Sequence, residues 1–256
     1  MGELKKRLRA GQQLMGIMVT TLCHVDLPKL LHKYGYDFFM IDMEHGSFSL
    51  PQAASMISVA RGIGMPALVR IPELRREWVL KVLEMGAEGL LLPDTKTSAQ
   101  AAEMVRYGKY APMGERGVSM SRPHTDYQKV DALQYMRQAN EDTLLLCQIE
   151  SRTGVGNIHE ILSVEGIDGA IIGPNDLSQD YGMLGQYDAP PLREAFHRVM
   201  EAARQTGKFS GVHFASAEKE KVWVEAGMQL NMCNSDIGLM AAGARLDLAL
   251  VKGGNA

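Results

Sequence analysis

The sequence predicts an α/β protein folded as a closed (β/α)8 barrel. Three observations carry that expectation. The length of 256 residues is near that of a single barrel. Short apolar runs without alternation, such as Leu144-Leu-Leu-Cys-Gln148, read as strands buried on both faces of a parallel sheet. These runs alternate with helical patterns eight times, which fits a barrel better than an open sheet.

In chain order, residues 3–10 predict a short amphipathic lead-in helix. The strand Gly16–Thr20 is followed by a helix over Val25–Tyr34, with Asp26 in its first turn and Gly35 at its stop. The strand Asp37–Asp42 precedes Met-Glu-His-Gly and a helix over Leu50–Arg61, ended by Gly62. Next come a strand over Met65–Arg70, a helix over Glu73–Met85 ended by Gly86, and a strand over Glu88–Pro93. The helix Ser98–Tyr107 has Ser98 as its expected cap. Residues 108–128, rich in Gly, Pro, Ser and Arg, form a long loop of the kind used for function or contact between subunits. A helix over Val130–Asn140, the strand 143–149, a helix over Val155–Leu162 and the strand 169–173 follow. Pro190 opens a helix reaching Thr206. The strand Phe209–Phe214, helix Ala217–Ala226, strand Gln229–Cys233 and helix 236–251 complete a single domain over 1–256, with no linker to divide it.

Composition narrows the function classes. Apolar content of 46% and charged content of 22% are ordinary for a soluble globular chain. A net charge of -3 without a basic block gives no support to nucleic-acid binding. No apolar stretch approaches a membrane span, and the charged N-terminus lacks a signal-peptide core. Cys23, Cys147 and Cys233 read as reduced core residues of a cytoplasmic protein.

Polar residues crowd the carboxyl ends of the strands, where barrel enzymes place their chemistry. Gln148 and Glu150 lie two apart and share one face of a strand. Glu150 and Asp176 end neighbouring strand units and form an oxygen-only pair suited to Mg²⁺ or Mn²⁺; alternatively they cap helices or pair with Arg152. His45 is a candidate general base, or a solvated loop residue. Arg70 ends an apolar strand and offers a fork for a carboxylate or enolate, or a salt bridge to Glu44 or Glu73. Glu84 reads from its pattern as a solvated helix acid. No Lys ends a strand, so a Schiff-base mechanism lacks its nucleophile. Nucleophile elbow, Walker loop and dinucleotide fingerprint are all missing.

Several stretches together resemble the HpcH/HpaI aldolase family. They are Asp37-Phe-Phe-Met-Ile-Asp-Met-Glu-His45, Leu68-Val-Arg-Ile-Pro72, Gly114-Glu-Arg-Gly117, Gln148-Ile-Glu-Ser-Arg-Thr-Gly-Val155 with Asn157, and Ile172-Gly-Pro-Asn-Asp-Leu-Ser178 with Gly182. The resemblance spans nearly the whole chain. It implies a barrel of the phosphoenolpyruvate/pyruvate-binding type with its last helix exchanged between subunits of a homohexamer, a trimer of dimers. It implies a class II aldolase holding one divalent metal ion (Mg²⁺, Mn²⁺ or Co²⁺) on Glu150 and Asp176. The expected reaction is reversible cleavage of a 4-hydroxy-2-oxo acid to pyruvate and an aldehyde through a metal-stabilised enolate. His45 would be the acid/base residue, Arg70 the enolate stabiliser, and Gln148 and Asn175 the lining of the pyruvate site. Glu84 would raise the basicity of His45; relatives carry Asp there, and a small residue often stands where this chain has Asn175.

Two alternatives remain at this stage. One is a related metal-enolate lyase or decarboxylase acting on another acid or a CoA thioester, against which no basic patch for a nucleotide tail is evident. The other is a catalytically silent pyruvate-binding barrel, which would have no need of His45, Arg70, Glu150 and Asp176 together.

Overall fold

The computed structural model describes residues 2–253. Eight strands, β1 (Leu14–Val19), β2 (Phe38–Asp42), β3 (Ala67–Arg70), β4 (Gly89–Leu92), β5 (Leu144–Ile149), β6 (Gly169–Ile172), β7 (Phe209–Phe214) and β8 (Leu230–Ser235), pair in chain order and close β8 onto β1. Every pairing is parallel. Strand alternation sorts the apolar side chains into two cores. Met18, Phe38, Met40, Leu68, Leu146 and Met232 fill the barrel interior. Ile41, Val69, Ile149 and Val212 point outward against the helices, where they meet Met56, Val82 and Phe196.

The helices are α1 (Glu3–Arg9), α2 (Leu27–Lys33), α3 (Leu50–Gly62), α4 (Arg76–Glu84), α5 (Ser98–Gly108), α6 (Ala132–Asp142), α7 (Arg152–Gly156), α8 (Ile158–Leu162), α9 (Pro174–Asp180), α10 (Pro190–Thr206), α11 (Ala217–Glu225) and α12 (Asp236–Lys252). α1 stoppers the amino-terminal end of the barrel. Its Leu4 and Leu8 belong to the interior core, and its Lys5 makes a buried ion pair with Asp168 at 2.6 Å.

The structure departs from the sequence expectation at four places. The helix expected over Val155–Leu162 is two short helices, α7 and α8, meeting at Asn157. α9 is a helix where only a turn and an acid were expected; Pro174 at its start was the available signal. Thr97, not Ser98, caps α5, its hydroxyl accepting from the Gln100 amide at 3.2 Å. Cys23 is exposed, so it is no core residue, whereas Cys147 is buried. The long loop is real, with one 3-10 turn over Pro123–Thr125.

Two features bear on assembly and on the mouth. α12 is rich in leucine yet buries only Asp236 among its described residues; Leu250 is 74% and Val251 84% exposed. Asp236 ties the start of α12 to the loop after β1. Its carboxylate accepts from the amides of Thr20, Thr21 and Leu22 at 3.0, 2.9 and 2.6 Å, and from the Thr20 hydroxyl at 2.9 Å. Burial pushes this carboxyl up, but the Leu22, Thr20, Thr21 and Ile237 amides outweigh it and hold it below the usual range.

Because the folded value lies below the unfolded one, the Asp236 contribution is present above the ordinary carboxylate range and is lost as pH falls through the folded value. Asp236→Ala is expected to lower unfolding free energy by about 2–3 kcal/mol at neutral pH. The deficit relative to the parent should shrink in acid. Urea melts at pH 7 and pH 3 check both statements; a deficit that grows in acid would contradict them.

Candidate active site

The site begins with the problem of putting charge inside an apolar barrel. Asp42 and Arg70 stand opposite one another in the β2–β3 register. Both are buried, Asp42 at 1% exposure and Arg70 at 8%. They form a two-pronged pair, Arg70 Nε to Asp42 Oδ1 at 2.9 Å and Nη2 to Oδ2 at 2.6 Å. Such a fork is the strong form of a charge-assisted hydrogen bond. Burial pushes the Asp42 carboxyl up, but the Arg70 hydrogen bond and charge, with the His45 and Glu44 amides, bring it below the usual range.

Arg70 has one arm left. Its Nη1 donates to Gln148 Oε1 at 3.4 Å and lies 3.1 Å from Glu44 Oε2, at an angle that forms no hydrogen bond. Gln148 Nε2 then donates to Glu150 Oε2 at 2.6 Å, as expected for two side chains on one strand face. Glu150 Oε1 accepts from the Asp94 amide at 2.6 Å. To aim that amide inward, Asp94 adopts a left-handed backbone with φ 44°, a region that Asp tolerates better than most residues. The result is one hydrogen-bonded row across the carboxyl ends of β2, β3 and β5.

Glu150 carries the largest perturbation in this row. Burial pushes its carboxyl up to about 7, the Asp94 amide opposes this, and the charges of Asp176 and Glu44 add to it. Glu44 is also raised, chiefly by burial, with Arg70 and His45 opposing. Glu44, Glu150 and Asp176 therefore crowd one small region, while the fork of Arg70 is engaged with Asp42.

Asp176 and Asn175 lie exposed in the first turn of α9. Asn175 Oδ1 accepts from the Tyr187 hydroxyl at 2.5 Å. His45 is exposed at the rim, and its amide donates to Asp42 Oδ1 at 3.2 Å. Gly46 follows because a Cβ there would overlap the Asp42 carbonyl and crowd the Thr20 carbonyl. Gly173 serves a similar end, since a Cβ would strike Glu150 Oε2 and meet Gln148 Nε2 at 2.7 Å.

The donor set suits a hard divalent cation. It is made only of oxygens, its carboxylates repel one another, and Gly173 keeps the space beside Glu150 open. Among the described residues, no three His, Cys, Asp or Glu side chains are placed to hold an ion without help. A site with two protein acids therefore relies on substrate oxygens and water for its remaining positions.

Of the sequence-derived residues, the structure brings together His45, Arg70, Gln148, Glu150, Asn175 and Asp176 at one end of the barrel. It does not bring Glu84 to His45 within the chain. Glu84 ends α4 at the opposite end of the barrel, where its carbonyl faces His124 Nδ1 at 3.3 Å and its charge acts on Arg116. Of the two salt-bridge partners the sequence offers Arg70, Glu44 is near it but Glu73 pairs with Arg75. Asp42 was missed as the principal partner, although an acid closing an otherwise apolar strand was the visible signal. His213 also faces this end, its Nε2 donating to the Asn234 carbonyl at 3.1 Å; burial holds its imidazole below the usual value.

The fold and these residues define a barrel enzyme whose acid–guanidinium row meets solvent at the carboxyl ends of its strands. The chain belongs to the HpcH/HpaI aldolase/citrate lyase family, whose profile matches residues 21–241. It is an enzyme of the aldehyde-lyase class. It is similar to 5-keto-4-deoxy-D-glucarate aldolase of Klebsiella pneumoniae subsp. pneumoniae, 30% identical over 93% of this chain and 91% of the relative. It is similar also to hydroxypyruvate/pyruvate aldolase of Roseovarius nubinhibens, 31% identical over 96% and 95%. The crystal structure of an HpcH/HpaI aldolase from Desulfitobacterium hafniense DCB-2 superposes with a TM-score of 0.94 at 34% identity, covering 97% of this chain and 96% of that one. Among the described residues no helix is long and apolar enough to cross a membrane.

Asp42→Asn keeps the size of the side chain but removes the charge that steers Arg70. Aldol-cleavage kcat/KM is expected to fall by roughly two orders of magnitude, the scale of a misplaced catalytic group. Steady-state kinetics alongside a thermal melt checks this, and a folded variant with parental kcat/KM would show that the fork does not position Arg70.

Proposed function

We propose that this chain is a divalent-metal-dependent aldolase that reversibly cleaves a 4-hydroxy-2-oxo acid into pyruvate and an aldehyde. The observation that carries this reading is the unbroken row Asp42–Arg70–Gln148–Glu150 at the carboxyl ends of neighbouring strands. It ends beside a second acid, Asp176, whose charge reaches Glu150. Names of relatives that act on keto-deoxy sugar acids and on pyruvate support the same substrate class.

Glu150 and Asp176 would hold the ion, one of Mg²⁺, Mn²⁺ or Co²⁺. When bound, a divalent cation supplies Lewis-acid polarisation of the 2-keto acid. The Arg70 guanidinium, pre-set by Asp42, faces the oxygen on which negative charge grows; an oriented charge of this kind contributes a few kcal/mol, about 3. Gln148, locked between Arg70 and Glu150, presents an oriented amide to the pyruvate half. His45 stands at the rim with its ring exposed, placed to take the C4 hydroxyl proton directly or through one water. Asn175 lines the outer wall with the Tyr187 hydroxyl upon it.

Assembly is part of the reading. We infer a homo-oligomer in which α12 of one copy covers another copy, arranged as a hexamer. The support is the exposed leucine-rich face of α12 beside an apolar cavity of about 880 Å³ lined by Leu22, Leu27, Leu30, Tyr34, Leu239 and Met240. Leu250→Glu together with Val251→Glu should shift sedimentation toward the monomer. A parent protein that sediments as a monomer at micromolar concentration would remove the inference.

The reaction itself is tested by exchange of pyruvate methyl protons for deuterium in heavy water, followed by NMR. Exchange is expected with added Mn²⁺, and is expected to be lost on chelation and in Glu150→Ala. Arg70→Lys should not restore the parental rate, because the planar fork is gone. Exchange that persists without metal, or in Glu150→Ala, would sink the proposal.

A further inference from the structure

The amino-terminal end of the barrel holds a second charged cavity, of about 410 Å³, far from the row at the mouth. Arg61, Arg116, His124 and Tyr135 are among the residues that line it. Arg116 belongs to the Gly114-Glu-Arg-Gly117 stretch, which the proposed reaction does not use. It is only 6% exposed, yet its guanidinium makes no hydrogen bond or ion pair with any described residue, and its Nε has no partner at all. It stacks over the Tyr110 ring at 4.6 Å, and the charge of Glu84 reaches it without a direct ion pair. His124 is 7% exposed and its Nε2 is likewise without a partner. The Nε of Arg61 is a third such atom, though its Nη2 bonds Asp126 at 2.8 Å.

A buried guanidinium without an acid is strongly unfavourable, because its desolvation is not repaid. Three unpartnered nitrogens therefore belong to residues that line one cavity, and two of them, the Nε of Arg116 and of Arg61, are donors that lack an acceptor. Glu3, Glu88 and Asp142 also line the cavity, so a small anion held close to Arg116 fits it better than a large polyanion, which these carboxylates would repel. The geometry points to a second ligand site here: Arg116 and His124 bind a small oxyanion, a carboxylate or a phosphate, at the amino-terminal end of the barrel.

The state of His124 supports this. Its Nδ1 faces the Glu84 carbonyl at 3.3 Å and so carries the proton, leaving Nε2 as a bare lone pair. Burial, with the charge of Arg116, holds its imidazole down to about 4, and Arg61 and Arg122 add to this. The groups around it are Arg61 on α3, Glu84 at the end of α4, Tyr135 on α6 with its ring 5.4 Å away, and Arg116 and Arg122 on the loop. An arriving anion adds negative charge directly beside His124, so His124 takes up a proton at Nε2 and donates it to the ligand in a hydrogen bond. Binding is therefore expected to tighten as pH falls toward the value His124 has with the anion present.

The test uses the full-length protein and two probes, inorganic phosphate and acetate, each against chloride at equal ionic strength. One or both should raise Tm, and which one does identifies the ligand class. The same anion should move the His124 imidazole resonances and raise their titration midpoint. Arg116→Met and His124→Asn should lose the Tm response, whereas Glu150→Gln should keep it, which separates this site from the mouth. If Arg116→Met does not fold, the His124 titration in the parent decides. No response of Tm or of His124 to either anion overturns the proposal, as does a response that both variants retain. A Tm that depends on protein concentration but on neither anion would assign the missing charge to a second copy and also overturn it.

Discussion

Everything at the mouth of this barrel depends on the buried pair between Asp42 and Arg70. A barrel interior is an apolar medium, and a lone charge there would destabilise the fold. The register between β2 and β3 solves this by setting an acid and a guanidinium side by side at the last turn of the pleat. Once the pair exists, the third arm of Arg70 can orient Gln148, and Gln148 can orient Glu150. Polar groups thus occur as a connected row, each satisfied by the next, which is the form in which an interior tolerates them. The same electrostatics leave the mouth rich in acid. Arg70 is forked to Asp42, so the charges of Glu44, Glu150 and Asp176 raise one another's cost, and burial pushes the Glu44 and Glu150 carboxyls up.

The two ends of the barrel solve opposite problems with similar parts. At the carboxyl ends an excess of acid faces solvent near Arg70. At the amino-terminal end the buried guanidinium of Arg116 and the imidazole of His124 line a cavity without a direct acid partner, while Lys5 and Asp168 are buried as a matched pair at the same end of the barrel. The matched pair explains itself by its own geometry. The unmatched ones at both ends are where a ligand's charge is wanted, which is why both read as binding places and the Lys5 pair does not.

Much of this was legible in the sequence because apolar runs bounded by polar ends are the direct signature of strands in a parallel barrel. All eight strands and the polar crowding at their carboxyl ends come from that pattern. The spacing of Gln148 and Glu150 was enough to place them together. What the sequence hid was pairing across space. That Arg70 meets Asp42 and not Glu73 is a matter of register between strands some 28 positions apart in the chain, as the Arg70 hydrogen bonds show. Glu84 illustrates the same limit, since a family role can be carried to a position, but only the fold shows that α4 ends far from His45 in the same chain. α9 was missed because seven residues opening on proline look, without their neighbours, like any other turn.

The stopper helix α1 has a consequence for the order of events in biosynthesis. Its leucines join an interior that includes Leu230 and Met232 of the last strand. Its Leu4 amide reaches Glu88, and the Gln229 side chain reaches the Leu8 carbonyl at 3.4 Å, across 221 positions. α1 is made before every strand of the barrel and is therefore among the last elements to find its full set of neighbours. Its apolar face lacks a complete partner until β8 has been made, so the nascent chain carries an unsatisfied apolar segment throughout synthesis of the barrel strands.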